Sequence, residues 1–187
     1  GSYNSGYGHF FNWLRPDSEK QIPDKQRIKQ YAVSLDYAVL GLCERKYLLD
    51  YVENFVFYYK DTVKIAAKNH QFLGVNNAID NFKLRLKHDA EGTDKGNKGK
   101  LGVFWHTQGS GKSYSMVFFA RKVFRQFRGN YTFLIVTDRD DLDGQIYRNF
   151  LHAEAFTKST KCQPKNSTDL REMLQTNTRY IFTLIQK

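Results

Sequence analysis

The chain has 187 residues, of which 41% are hydrophobic and 26% charged, so it is large enough for one ordinary globular domain with a sizeable core. No apolar run approaches the roughly 20 residues that span a bilayer, and the N-terminus lacks the basic start and apolar core of a signal peptide; we expect a cytoplasmic protein with no membrane partner. The net charge of +10 favours a polyanionic partner, with a solvated basic surface as the alternative.

The first half of the chain predicts helices. Apolar side chains between Tyr47 and Tyr59 fall on one broad helical face, which predicts a helix ending near Tyr59. Asp61 or Thr62 is placed to cap a second long helix. The apolar positions of that helix repeat at helical spacing and are Phe72, Val75, Ile79, Phe82 and Leu86. The charged, glycine-rich stretch HDAEGTDKGNKGK then predicts a solvated loop.

The second half alternates predicted strands with predicted helices. The strands are LGVFWHT, YTFLIVT and RYIFTLIQK. Between them, GKSYSMVFFARKVFRQFR and DRDDLDGQIYRNFLHAE indicate helices, and Ser167 or Thr168 is placed to cap a shorter helix over STDLREMLQ. Strands that alternate with helices predict an α/β fold with a parallel sheet and right-handed crossovers.

The stretch HTQGSGKS, which lies between a predicted strand and a predicted helix, is typical of a phosphate-binding loop. Small residues let successive backbone N–H groups approach phosphates, a lysine adds positive charge, and the next hydroxyl can bind Mg²⁺. His106 stands where the usual motif opens with glycine, and a chance glycine-rich turn is the alternative interpretation. The predicted nucleotide-binding residues of this stretch are Thr107, Gln108, Gly109, Ser110, Gly111, Lys112, Ser113 and Tyr114.

Several stretches together resemble the motor subunit of type I restriction enzymes. FWHTQGSGKSYSMVFFARKV resembles the first helicase motif of that family, and FLIVTDRDDLDGQ and IFTLIQK resemble its next two motor motifs in the same order. NWLRP and YLLDYVENFVFY resemble segments that precede the motor, and KIAAKNHQFLGVNNAI resembles the His-Gln segment at its start. The resemblance covers nearly the whole chain, and HTQGSGKS and DRDDLDGQ are its most specific parts.

This resemblance implies a superfamily 2 translocase, in which ATP hydrolysis drives movement along double-stranded DNA before the DNA is cleaved. Residues 1–60 would form a mainly helical connector after a nuclease domain, and residues 61–187 the first part of a RecA-like motor domain. The implied cofactors are ATP and Mg²⁺. The implied partners are double-stranded DNA and the methyltransferase and specificity subunits of the same complex.

The resemblance also implies roles for single residues. Lys112 would be the catalytic lysine that contacts the β- and γ-phosphates, and Ser113 would be the Mg²⁺ ligand. Gln71 would read adenine, with a surface polar residue on a helix as the alternative. Arg139 and Thr183 would contact the DNA backbone. For the aspartates of TDRDDLDGQ we favour a structural interpretation, a helix start stabilised by the helix dipole.

Part of the machinery for hydrolysis is missing from the sequence. It contains no Asp-Glu dipeptide for an acidic metal-binding pair, no assignable arginine finger and no nuclease signature. We therefore expect a fragment of a longer enzyme that is inactive alone. The alternatives are another superfamily 2 helicase or a type III restriction subunit, a P-loop small-molecule kinase, and a non-catalytic module that binds nucleotide structurally.

Overall fold

The computed structural model describes residues 39, 41–59, 62–93, 99–153 and 161–186; NWLRP and Asp61 lie outside these ranges. Within them, five helices and four strands follow one another along the chain. In order they are α1 (Arg45–Asn54), β1 (Val56–Tyr59), β2 (Val63–Ala66), α2 (Asn69–Glu91), α3 (Lys112–Gln126), β3 (Phe133–Thr137), α4 (Asp140–His152), α5 (Ser167–Gln175) and β4 (Tyr180–Leu184). No helix in the described ranges combines the length and apolar character needed to cross a membrane.

The chain divides into two compact units. Among the described residues, the first unit comprises those up to 57 together with those from 64 to 119, and the second unit comprises those from 58 to 63 together with those from 120 onwards. This division does not test the predicted boundary between a connector and a motor domain after residue 60, and that boundary stays a prediction.

An aromatic core holds the first unit together. The rings of Phe55 and Phe72 lie 4.7 Å apart, and those of Phe55 and Phe118 lie 5.6 Å apart, with all three side chains almost fully buried. Tyr51 adds a ring 5.7 Å from Phe72 and donates its hydroxyl to the carbonyl of Ala67 at 2.6 Å. Burial raises the pKa of Tyr51 to about 12, which keeps this donor protonated. These contacts fix the first turns of α2 against α3.

A parallel strand pair forms the core of the second unit, which confirms the predicted α/β fold. β3 pairs with β4 in a register that sets Phe133 opposite Tyr180 and Thr137 opposite Leu184. The ring of Phe150 in α4 lies 5.3 Å from both Tyr180 and Phe182. β4 is buried along most of its length because aromatic side chains of neighbouring helices cover it. The predictions of α3, β3, α4 and β4 are therefore confirmed.

The predicted helix ending near Tyr59 is wrong, because α1 ends at Asn54 and β1 follows. The stretch VFYY consists of β-branched and aromatic residues, which favour a strand, and it pairs with β2. The second long helix begins at Asn69 rather than after Thr62, because the Gln71 side chain accepts from the backbone N–H of the N-cap residue Lys68 and so closes the first turn there. Its predicted seam is buried at Phe72, Val75 and Ile79 and becomes more exposed towards its end.

The prediction of a buried strand at residues 101–107 is also wrong. The segment has no regular secondary structure, and Val103 and Trp105 are 88% and 87% exposed. A strand requires a neighbour to bond its backbone groups, and among the described residues none pairs with this segment.

The start of α5 differs from its prediction by one residue. Asn166, rather than Ser167 or Thr168, is the N-cap, and its side chain accepts from the N–H of Asp169 at 2.9 Å. Lys161 donates to the Asp169 carboxylate and, with the N–H of Lys165, lowers its pKa below the usual value.

Candidate nucleotide-binding site

The candidate site is the loop at residues 107–111, which leads into α3. Gly109 and Gly111 adopt left-handed backbone conformations, with φ of 75° and 85°. The N–H of Ser110 donates to the carbonyl of Thr107 at 3.3 Å and closes the turn. Glycine adopts such φ values without the strain that a Cβ would introduce. The two glycines therefore allow the loop to adopt this conformation.

The side chain of Lys112 lies across this loop. Its Nζ donates to the carbonyl oxygen of His106 at 2.7 Å and to that of Thr107 at 2.9 Å. Both are charge-assisted hydrogen bonds, which hold the ammonium group at the exposed side of the loop. A phosphate group is a stronger partner for this cation than two neutral carbonyls, so the arrangement suits an anionic ligand.

The first turn of α2 supports the loop from the protein interior. His70 Nε2 lies 3.0 Å from the carbonyl oxygen of Ser110, and Gln71 Nε2 donates to the carbonyl of Gly111 at 2.9 Å. Gln71 is 4% exposed, and its Oε1 accepts from the N–H of Lys68 at 2.8 Å. A Cβ on Gly111 would lie 2.7 Å from Gln71 Nε2, so close contact as well as φ favours glycine here.

The structure places the predicted loop residues in different environments. Thr107, Gln108, Gly109 and Lys112 are exposed, and the remaining members are half-buried, namely Ser110, Gly111, Ser113 and Tyr114. The ring of Tyr114 lies 5.9 Å from that of Phe57, so this side chain also packs into the first unit.

Gln71 contacts the loop as well as capping α2. Its amide uses one N–H and one oxygen lone pair within the chain, and an amide offers two of each. A bidentate contact to adenine would need one further donor and one further acceptor. The adenine role of Gln71 therefore stays a prediction.

The predicted Mg²⁺ ligand Ser113 is half-buried at the start of α3. Within those residues, no group of three or more His, Cys, Asp or Glu side chains could bind a metal ion. Mg²⁺ commonly keeps several waters and binds through few protein groups plus substrate phosphates, so one hydroxyl beside the loop fits such an ion.

The two predicted DNA-binding residues differ in exposure. Arg139 is exposed at the N-cap of α4 and pairs with Asp141 at 3.0 Å. Thr183 is 3% exposed, and its hydroxyl donates to the carbonyl of Leu184 at 3.4 Å. Their contacts with DNA stay predictions, and only Arg139 is presented at the surface.

Sequence reasoning missed His70 and Asp143. The bond between His70 and Ser110 joins residues 40 positions apart, a pairing that periodicity does not reveal. Asp143 is buried, and its carboxylate accepts from Thr137 at 3.5 Å and from Gln163 at 3.0 Å. Its place in the Asp-rich first turn of α4 agrees with the structural interpretation of these aspartates.

Comparisons with known proteins identify the family. The family model described as SWI2/SNF2 ATPase matches residues 70–187. The chain is 36% identical over 194 residues to the "Type I restriction enzyme HindI endonuclease subunit" of Haemophilus influenzae, and the match covers 100% of this chain and 17% of that protein. It is 30% identical over 199 residues to the "Putative type I restriction enzyme MjaIXP endonuclease subunit" of Methanocaldococcus jannaschii, covering 100% and 18%.

The chain thus spans about 17–18% of the length of these relatives. The matches confirm the resemblance to type I restriction endonuclease subunits, and the α/β architecture is consistent with a partial RecA-like domain. The match at residues 70–187 includes the phosphate-binding loop, the start of α2 that supports it and the parallel strand pair. The chain belongs to the SWI2/SNF2 ATPase family.

Proposed function

We propose that this chain is the ATP-binding part of the DNA-translocating and DNA-cleaving subunit of a type I restriction enzyme. One observation carries the proposal: Lys112 is held over a loop that contains two left-handed glycines, in a chain of an ATPase family. Two relatives that are named as type I restriction enzyme endonuclease subunits support the restriction role. In the complete enzyme, ATP hydrolysis drives movement along double-stranded DNA before cleavage.

The loop residues bind the phosphates of ATP. Backbone N–H groups between Gly109 and Ser113 face the phosphate oxygens, as in other phosphate-binding loops that end at a helix N-terminus. Lys112 leaves the carbonyls of His106 and Thr107 and contacts the β- and γ-phosphates. The Ser113 hydroxyl holds Mg²⁺, an ion that neutralises charge on the phosphates when it is bound. Gln71 reads adenine with its remaining donor and acceptor.

Double-stranded DNA is the proposed polyanionic partner. The net charge of +10 favours it, and Arg139 offers an exposed guanidinium for a phosphate. Thr183 is a weaker candidate because its hydroxyl is buried. The methyltransferase and specificity subunits are the proposed protein partners, and the cytoplasm is the proposed location.

Binding rather than turnover tests the proposal, because the sequence has no Asp-Glu pair for hydrolysis. We expect the protein to bind Mg²⁺–ATP without measurable steady-state hydrolysis. Lys112→Ala should weaken binding by about 10- to 100-fold, since a hydrogen bond to a charged group contributes about 1.5–3 kcal/mol. Isothermal titration calorimetry measures this change.

Lys64→Ala provides the matched control, because Lys64 is an exposed lysine on β2 outside the loop. This variant should bind ATP like the unsubstituted protein. Equal affinities for the Lys112→Ala and Lys64→Ala variants would contradict the assignment of the loop.

A further inference from the structure

We propose that His70 is a positioning residue, which holds the phosphate-binding loop in its binding conformation through a hydrogen bond from Nε2 to the carbonyl of Ser110. The two atoms lie 3.0 Å apart. The inference rests on the proposed nucleotide binding and deepens it, because it names a side chain that keeps the loop organised before a ligand arrives.

The loop needs such a donor because of its own geometry. A backbone whose N–H groups converge on an anion directs carbonyl groups elsewhere, and those carbonyls then need donors of their own. The carbonyl of Gly111 accepts from the N–H groups of Tyr114 and Ser115 as well as from Gln71. For the carbonyl of Ser110, His70 is the side chain that the structure places within hydrogen-bonding distance.

His70 also contacts the other end of the loop. Its ring meets that of His106 edge to face, with centroids 4.8 Å apart, and Phe104 lies 4.4 Å from His106 on the same segment. His106 in turn offers its backbone carbonyl to Lys112. One side chain at the start of α2 therefore touches the loop at His106 and at Ser110, on either side of the left-handed Gly109.

The position of His70 is fixed by the rest of the first unit. It lies in the first turn of α2, beside the buried Gln71 and close to the aromatic core around Phe72. The contact requires a hydrogen on Nε2, which the neutral Nε2–H tautomer and the imidazolium both carry. The loop thus gains a donor from a rigid helix rather than from a mobile segment, which lowers the ordering cost of binding.

Two substitutions separate the hydrogen bond from the ring contact. His70→Phe keeps an aromatic ring against His106 and removes the donor, whereas His70→Gln keeps an N–H donor and removes the ring. We expect His70→Phe to weaken binding of both ATP and GTP by about fivefold, the effect of losing one neutral hydrogen bond of about 1 kcal/mol. His70→Gln should stay within about twofold of the unsubstituted protein by the same reasoning.

Amide hydrogen exchange of residues 107–113, measured without nucleotide, gives a second readout that is independent of binding. The loop amides of His70→Phe should exchange faster than those of His70→Gln, because only the glutamine still ties the Ser110 carbonyl. If His70→Phe unfolds, the test rests on His70→Gln. Weaker ATP binding by His70→Gln at an unchanged melting temperature would overturn the inference.

The same titrations distinguish this inference from the proposed function. If the unsubstituted protein fails to bind ATP, or if Lys112→Ala binds it equally well, the proposed function and the inference both fail. If binding depends on Lys112 while His70→Phe binds and exchanges like the unsubstituted protein, the inference alone is overturned. A loss in His70→Gln but not in His70→Phe would assign the effect to the ring and also overturn it.

Discussion

The phosphate-binding loop and the TDRDDLDGQ segment both carry polar residues of the kind found in functional sites, yet the structure uses them differently. In the loop, Lys112 is exposed and bonded only to neutral carbonyls among its described contacts. In the segment, Asp143 is buried between Thr137 and Gln163. An exposed charged side chain whose partners a ligand could replace is a candidate for binding. A buried charged side chain whose partners belong to the fold has a structural role.

The largest effect should come from Gly111→Ala, with Gly109→Ala as its matched control. Both glycines have positive φ, so either alanine adds about 1–2 kcal/mol of backbone strain. Only at Gly111 would the new Cβ meet Gln71, whose displacement breaks two hydrogen bonds worth about 1 kcal/mol each. We expect Gly111→Ala to weaken ATP binding at least about tenfold more than Gly109→Ala.

Calorimetric affinities of the two glycine variants check this expectation. Similar losses for both would show that Gln71 moves aside freely, and the close support of the loop by α2 would then be unimportant. Adding Gln71→Ala to Gly111→Ala should recover part of the loss, because it removes the atom that the Cβ meets.

A smaller effect of a different kind is expected at Asp143. Asp143→Ala leaves two donors without their buried acceptor and should lower the free energy of unfolding by about 1–3 kcal/mol. Asp141→Ala, in the same first turn but exposed, should change it by less than about 0.5 kcal/mol. Urea denaturation measures both. If the two variants were equally stable, the distinction between the loop and this segment would lose its support.

The last prediction concerns nucleotide choice, and the quantity of interest is the difference between the ATP and GTP affinities of Gln71→Ala. Losing the bonds to the Gly111 carbonyl and to the Lys68 N–H, about 1 kcal/mol each, should weaken ATP and GTP alike by up to about 30-fold. An adenine contact would add a further loss for ATP alone, of about 1–3 kcal/mol on the scale of bidentate base contacts. We expect the ATP affinity to fall more, and competitive titration with both nucleotides measures the difference. Parallel losses would restrict Gln71 to supporting the loop and capping α2.

Sequence patterns predicted the elements whose periodicity is unambiguous. The seam of α2 at Phe72, Val75 and Ile79 was predicted correctly because its apolar residues repeat at helical spacing. The parallel strands β3 and β4 were predicted from short apolar runs that alternate with predicted helices. β1 was predicted as helix because VFYY is apolar at every position and fits either period. At residues 101–107 the predicted strand is wrong, because strand propensity says nothing about whether a neighbouring strand is present to pair with the segment.

Some features of the candidate site could likewise be predicted from the sequence, and others could not. The turn at Gly109 and Gly111 could be predicted because such a loop is a local conformation set by adjacent residues, whereas the binding roles of Lys112 and Ser113 stay predictions. His70 could not be predicted, since its contact with Ser110 depends on the aromatic core that brings α2 against α3. Asp143 was recognised as part of a helix start, but its bond to Gln163 depends on tertiary packing.

The two carbonyls that Lys112 holds make nucleotide binding an exchange reaction. The ammonium group must leave His106 and Thr107 before it can meet a phosphate, so the measured affinity is the difference between the two sets of bonds. A ligand whose phosphate chain stops short of Lys112 would leave those bonds intact and form no hydrogen bond with the ammonium group. Under the proposed function, the contribution of Lys112 to affinity therefore depends on the length of the phosphate chain, because only a chain that reaches the ammonium group can replace both carbonyls.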